Sequence, residues 1–139
     1  MKVKNMMHKG IECIAPDMPV TEVASLMRKT DIGALPVKGD GQLVGIVTDR
    51  DIACRAVAEG GDISKMMASD VMSKNVVSCT ADDDVADAIH LMEKKRIRRL
   101  PVTDSNKDVI GMLSLGDISH KLSKDLSGEV LRAVSAHHA

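Results

Sequence analysis

The sequence contains no phenylalanine, tyrosine or tryptophan. Recognition of a nucleobase by aromatic stacking, the usual route to single-stranded nucleic acid, is therefore excluded. Any flat ring held here must be sandwiched by aliphatic or methionine side chains. A charge excess is lacking too: 19 basic side chains stand against 20 acidic ones, for a net charge of −1. A general polyanion binder would be basic overall, so that class is disfavoured. No hydrophobic run approaches a membrane span, and the start, Met-Lys-Val-Lys-Asn-Met-Met-His, has no signal-peptide core. Cysteine is scarce. Cys13, Cys54 and Cys79 are odd in number and lack metal-ligand spacing, which fits reduced thiols in a cytoplasmic protein, serving as small hydrophobes.

What is present is a duplication. Asp-Ile-Gly-Ala-Leu-Pro-Val at 31–37 returns as Arg-Ile-Arg-Arg-Leu-Pro-Val at 96–102. Gly45-Ile-Val-Thr48-Asp-Arg-Asp51-Ile52 returns as Gly111-Met-Leu-Ser114-Leu-Gly-Asp117-Ile118. Two copies are too few for a solenoid. They predict two similar lobes related by a pseudo-two-fold, each reading strand, helix, strand, strand, helix, in the α+β (α/β-like) class. Residues 3–60 form the first repeat, 61–70 a linker, 71–123 the second repeat, and 124–139 a tail. That tail could carry a short helix with Val130, Leu131 and Val134 on one side.

The first copy predicts a strand at Ile11–Ala15 and a helix opened by Asp17-Met-Pro19, with Val20, Val23, Ala24 and Met27 on one face. The second predicts a strand at Val76–Thr80, Asp83 as N-cap, and Val85, Ala88, Ile89 and Met92 at the same spacing. Strands follow at Leu35–Val37 and Leu43–Thr48, and again at Leu100–Val102 and Val109–Ser114. Asp40-Gly41 and Ser105-Asn106 mark the turns. A second helix is expected near 49–59, with Ile52, Ala53, Ala56 and Val57 inward and Gly60-Gly61 ending it. Its counterpart runs from about Gly116 to about Ser123.

The chemistry concentrates in Gly-x-x-[Thr/Ser]-x-x-Asp, placed where a strand gives way to a helix. A helix start offers free N–H groups and a positive dipole end, which suit a phosphate. A hydroxyl there adds a donor, and an acid one turn on can accept from the two hydroxyls of a ribose. The same residues can also be plain helix caps. The residues alone allow either.

With these segments in view, the chain resembles a tandem of CBS domains, the arrangement called a Bateman module. The likeness covers nearly everything from Asn5 to Leu122. It rests on Met6-Met7 and Val71-Met72 before each first strand, the two Leu-Pro-Val strands, and the paired Gly…[Thr/Ser]-x-x-Asp segments. The resemblance implies a sensor rather than a catalyst, binding AMP, ADP, ATP or S-adenosylmethionine between the repeats. It implies one site with Asp117 on the ribose and Ser114, Arg99 and Arg98 near phosphate, the base lying among Ile11, Ile32, Gly33 and Ala34. A second site would use Thr48 and Asp51 with Val76, Val77 and Ile97. There Gly33-Ala34 replaces the arginine pair, and Arg50 could compensate. Glu12 falls near the base position of the first site, where burying an unpaired carboxylate is costly.

Other classes are weaker. The run Lys94-Lys95-Arg96-Ile97-Arg98-Arg99 reads as a helix end, a phosphate site or, as the alternative function, a nucleic-acid patch. Asp82-Asp83-Asp84 reads as capping. The histidines His8, His90, His120, His137 and His138 have no metal or catalytic spacing. No P-loop, Gly-x-Ser-x-Gly, His-Glu-x-x-His or Cys-x-x-Cys occurs. Neither an enzyme, a metal nor a cofactor is expected. With no effector domain after the second repeat, any signal is expected to pass through a homodimer, built on four amphipathic helices, or through a separate regulated protein.

Overall fold

The computed structural model describes residues 1–119 together with 128, 131 and 132. Its elements run β1 (His8–Lys9), α1 (Val20–Thr30), β2 (Ala34–Gly39), β3 (Gln42–Thr48), α2 (Asp49–Asp51), α3 (Ala68–Val71), β4 (Cys79–Thr80), α4 (Val85–Lys95), β5 (Arg99–Thr103), β6 (Val109–Ser114) and α5 (Leu115–Ile118). A π-helical stretch, Ile52–Val57, continues α2.

Both long helices obey the same local rules. In α1, Val20, Val23 and Met27 are buried; in α4, Val85, Ala88, Ile89 and Met92 are. Each ends on a residue in the left-handed conformation, Asp31 and Arg96, both with φ of 56°. Glycine would adopt this more cheaply. Their starts differ from expectation. Pro19 sits at the N-cap rather than inside the first turn, and its carbonyl accepts from Glu22 and Val23. The N-cap of α4 is Asp84, whose carboxylate accepts from Ala86 N at 3.1 Å, while Asp83 instead accepts from Thr80 N at 2.9 Å.

The chain packs as two compact units, and their limits are not those of the repeats. One holds residues 12–76; the other joins 1–11 to the chain from 77 onward. In the 12–76 unit, β2 and β3 form an antiparallel hairpin closed by Asp40-Gly41, with φ of 52° and 78°. Two successive positive φ values are what a two-residue hairpin turn requires. The core beneath is Ile14, Val20, Val23, Met27, Leu35, Val37, Val47, Ala56, Ala68 and Val71. The other unit carries a four-stranded sheet in the order β1-β6-β5-β4, with only the β4–β5 pair parallel. Its core includes Val3, Met6, Ile89, Met92, Leu100, Val102, Leu113 and Ile118.

The exchange of leading segments is visible in the hydrogen bonds. Val3 N donates to Asp83 O and Lys4 N to Ala81 O, both at 2.9 Å. The segment that opens the second repeat does the same for the first: Ala68 N donates to Met18 O at 2.8 Å and Ser69 N to Pro16 O at 2.9 Å.

Several expected elements come out shorter. Of Ile11–Ala15, only Ile14 pairs, in a single parallel bridge with Val37. Of Val76–Thr80, only Cys79 and Thr80 form strand. Ala53 and Val57 are exposed rather than inward, Val57 at 58%. Their spacing assumed α-helical turns, whereas Ala58 N bonds to Ala53 O, five residues back. That wider turn rotates later residues off the α-helical register. The helix counterpart starts at Leu115; its expected continuation over 120–123 lies outside the described residues, as do Val130 and Val134 of the tail. Gly128, Leu131 and Arg132 are helical.

Candidate functional site

Strand register sorts each sheet into two faces, because successive side chains alternate. In the 12–76 unit, Leu35, Val37 and Val47 face the core. Their neighbours Ala34, Pro36, Ile46 and Thr48 take the opposite face. Ala34 lies across from Thr48 and Pro36 from Ile46, and Ser73 bridges to Ile46 on the far side. In the other unit Leu100, Val102 and Leu113 face the core. The opposite face carries Arg99 across from Ser114, Pro101 across from Met112, and His8 paired with Met112. The two faces match position for position. Four positions are filled differently: Ala34 against Arg99, Ile46 against Met112, Thr48 against Ser114, and Ser73 against His8.

The hydroxyl and acid of each motif form a capping box. Asp51 N donates to Thr48 Oγ1 at 3.1 Å, and Thr48 N donates to Asp51 Oδ2 at 2.9 Å. Asp117 N donates to Ser114 Oγ at 3.1 Å, and Ser114 N to Asp117 Oδ2 at 3.3 Å. Two otherwise unpaired donors are thus satisfied at each helix start. One carboxylate oxygen in each copy is left for other partners.

Those partners were not foreseen from the sequence. Ser73 Oγ lies 3.3 Å from Asp51 Oδ1, and Arg55 Nε lies 3.9 Å from the same oxygen. Arg55 also donates to Met72 O at 2.9 Å. In the second copy, His8 Nδ1 lies 3.5 Å from Asp117 Oδ1. The position after Met7 and after Met72 was the available signal, since the two dipeptides precede equivalent strands.

The remaining candidates fall as follows. Arg98 O accepts from Leu115 N at 3.0 Å, and Gly33 O accepts from Asp49 N at 3.0 Å, so the pairs Arg98-Arg99 and Gly33-Ala34 occupy equivalent places beside their own turns. Arg99 is half-buried, and its guanidinium forms no ion pair among the described residues. Ile32 and Ile97 are half-buried against the core of their own units. Ile11 and Val77 belong to the unit of Asp117, and Val76 to that of Asp51. Arg50 is exposed, its N–H donating to the Asp49 carboxylate at 2.9 Å. Glu12 is exposed, so no carboxylate is buried there. The basic run is divided by the fold: Lys94 and Lys95 end α4, Arg96 caps it, and Arg99 opens β5. Among the described residues no cluster of three or more His, Cys, Asp or Glu could hold a metal ion, and no helix is long and apolar enough to cross a membrane.

Comparison with known proteins bears on this arrangement. The model of the CBS domain family matches twice, over residues 3–56 and 68–124. The CBS domain-containing protein YhcV of Bacillus subtilis is 38% identical over 134 residues, spanning 96% of this chain and 94% of that protein. Among solved structures, the conserved CBS domain protein TA0289 of Thermoplasma acidophilum superposes with a TM-score of 0.85 at 25% identity, covering 96% of this chain and 75% of that one. The CBS domain pair of protein MJ0100, solved in complex with 5′-methylthioadenosine and S-adenosyl-L-methionine, has a TM-score of 0.78 at 29% identity, covering 86% and 98%.

Proposed function

The chain belongs to the CBS-domain family, and from that premise we propose that it is a regulatory module that binds an adenosine-containing ligand and has no catalytic activity of its own. The Asp117 carboxylate would accept from the ribose hydroxyls. Arg99, with Ser114 and Arg98 beside it, would meet a phosphate or another anionic group. The observation that carries this reading is the face holding Ser114, Asp117 and Arg99 together, with Arg99 uncommitted to any ion pair among the described residues. The bound ligands of the MJ0100 domain pair support the adenosine class. The matching face at Thr48 and Asp51 would take the same nucleoside more weakly, since Ala34 brings no charge. Signalling would pass through a homodimer or a separate regulated protein. Exposed Val57 and Met67 support association between copies.

A calorimetric panel of AMP, ADP, ATP, S-adenosylmethionine and 5′-methylthioadenosine tests it. At least one should bind. Arg99→Ala should weaken AMP about tenfold, the loss of one charge-assisted hydrogen bond. It should leave uncharged 5′-methylthioadenosine nearly unchanged. Equal loss for both ligands would make Arg99 structural. A monomer by light scattering at high micromolar concentration would reject the dimer.

A further inference from the structure

The free oxygen of the capping acid meets a different partner in each copy. Asp51 Oδ1 faces the Ser73 hydroxyl at 3.3 Å; Asp117 Oδ1 faces the His8 imidazole at 3.5 Å. Register makes the two residues equivalent, each paired with the strand residue two before the capping hydroxyl. Backbone packing fixes where His8 stands. A Cβ added at Gly111 would lie 2.5 Å from His8 O, so β1 lies hard against β6. The His8 side chain itself is 68% exposed.

Among the described residues, the ionisable groups around His8 are few. β6 brings none, and α5 brings only Asp117. Lys9 follows on β1 but alternates to the other face. Arg99 shares the face of His8, two strands away and one row along. Lys4, on the preceding turn, is engaged by Asp82 at 3.2 Å.

We infer that His8 is a positioning residue that makes ligand binding at Asp117 depend on pH. The inference rests on the ribose reading of Asp117. Protonated, the imidazole donates to Oδ1 and occupies the oxygen that one ribose hydroxyl needs. Neutral, it loses the charge that holds that oxygen and yields it more readily. Ligand binding therefore expels a proton from His8 and strengthens as pH rises. Ser73 changes no charge there, so the Asp51 copy has no such response. His8 is largely exposed and the contact is screened by solvent, which sets the effect at roughly two- to fivefold.

The probe is 5′-methylthioadenosine, which stays uncharged, so pH acts on the protein alone. Calorimetry on the full chain compares about pH 5.5 with about pH 8, across which histidine side chains in general change charge. Wild type should bind two- to fivefold more weakly at the lower pH, about 0.4–1 kcal/mol. The heat should vary with buffer ionisation enthalpy, reporting the released proton. His8→Ser, which copies the other repeat, should bind equally at both values and release no proton. Asp117→Asn keeps an oxygen for the cap and should lose affinity at both. A wild type indifferent to pH, or a His8→Ser that keeps the wild-type response, overturns the inference while the ribose reading stands. An Asp117→Asn that binds like wild type, or no binding at either pH, overturns the ribose reading and the inference with it.

Discussion

The Asp51 side chain is 12% exposed and the Asp117 side chain 26%. Asp51 has the Thr48 amide, the Ser73 hydroxyl and the Arg55 guanidinium around it; Asp117, among the described residues, has the Ser114 amide and the His8 imidazole at 3.5 Å. Both acids close the same capping box. The first is additionally tied to Ser73, so it joins β3 to the segment that opens the second repeat. The second keeps a more open oxygen and a looser partner. A duplicated motif is therefore held in two ways: one copy is tied into the packing, and the other keeps the more open oxygen on which the proposed ligand reading rests.

The sharpest way to break this comparison is to remove each acid. Asp51→Ala loses a cap and leaves the Thr48 amide and Ser73 hydroxyl without their acceptor, at a cost of about 1–3 kcal/mol in stability. Asp117→Ala should cost nearer 1 kcal/mol in stability, the usual cost of a lost cap. Its larger effect should be on adenosine affinity, falling about tenfold to a few hundredfold through lost charged hydrogen bonds. Urea denaturation and calorimetry on both variants read the two effects separately. If Asp51→Ala is the variant that loses ligand and Asp117→Ala the one that unfolds, the assignment of roles is reversed.

A smaller effect should separate the two glycines that seat the leading segments. At Gly111 an added Cβ meets backbone, His8 O at 2.5 Å. At Gly45 it meets the flexible Met72 side chain, Sδ at 2.5 Å, with Ser73 O at 3.0 Å. Backbone gives way less readily than a methionine tip. Gly111→Ala should therefore destabilise by about 1–3 kcal/mol, and Gly45→Ala should sit at the low end of that range. Urea midpoints with an unchanged slope would measure it. Equal losses would mean that the two leading segments are held equally firmly.

Much of this was legible in the sequence because it is periodic or local. The buried faces of α1 and α4 follow from helical spacing, except that Ala24, expected on the α1 face, is exposed, and the hairpin turn follows from Asp40-Gly41. The capping boxes follow from [Thr/Ser]-x-x-Asp, one of the two readings those residues allowed. What was hidden depends on pairing between distant segments. Val3 is fully buried, yet lies in a polar-looking stretch, because its amide is claimed by the loop before α4 and its side chain by the core of that unit. His8 and Ser73 gain their place only when β6 and β3 accept an extra strand or bridge. Arg55, four residues after Asp51, was a local signal that helical spacing offered and the reading overlooked; only its bond to the distant Met72 carbonyl was hidden. Local pattern specifies the elements, while the site's second partners are set by which edge each leading segment joins.

The smallest expected difference between the copies concerns Cys79, which stands where Ile14 stands in the other repeat. Each pairs in parallel with a Leu-Pro-Val strand, Cys79 with Val102 and Ile14 with Val37, and both are buried. At neutral pH the thiol is simply a small hydrophobe, and Cys79→Val should change stability by less than about 1.5 kcal/mol. Alkaline pH reveals the difference. Burial, and then the nearby Asp83 carboxylate, push the Cys79 thiol from 9.0 up to about 12. The folded state thus holds this proton where the unfolded chain has released it. The stability this contributes is complete below pH 9.0 and is lost as pH rises from there towards about 12. Above pH 9.0, wild type should therefore lose stability faster than Cys79→Val, with the gap widening towards about 12. Urea midpoints taken in parallel cancel the contribution of every other titrating group. Parallel alkaline curves for the two proteins would show that the buried thiol carries no such cost, and that Cys79 and Ile14 are interchangeable in electrostatics as well as in packing.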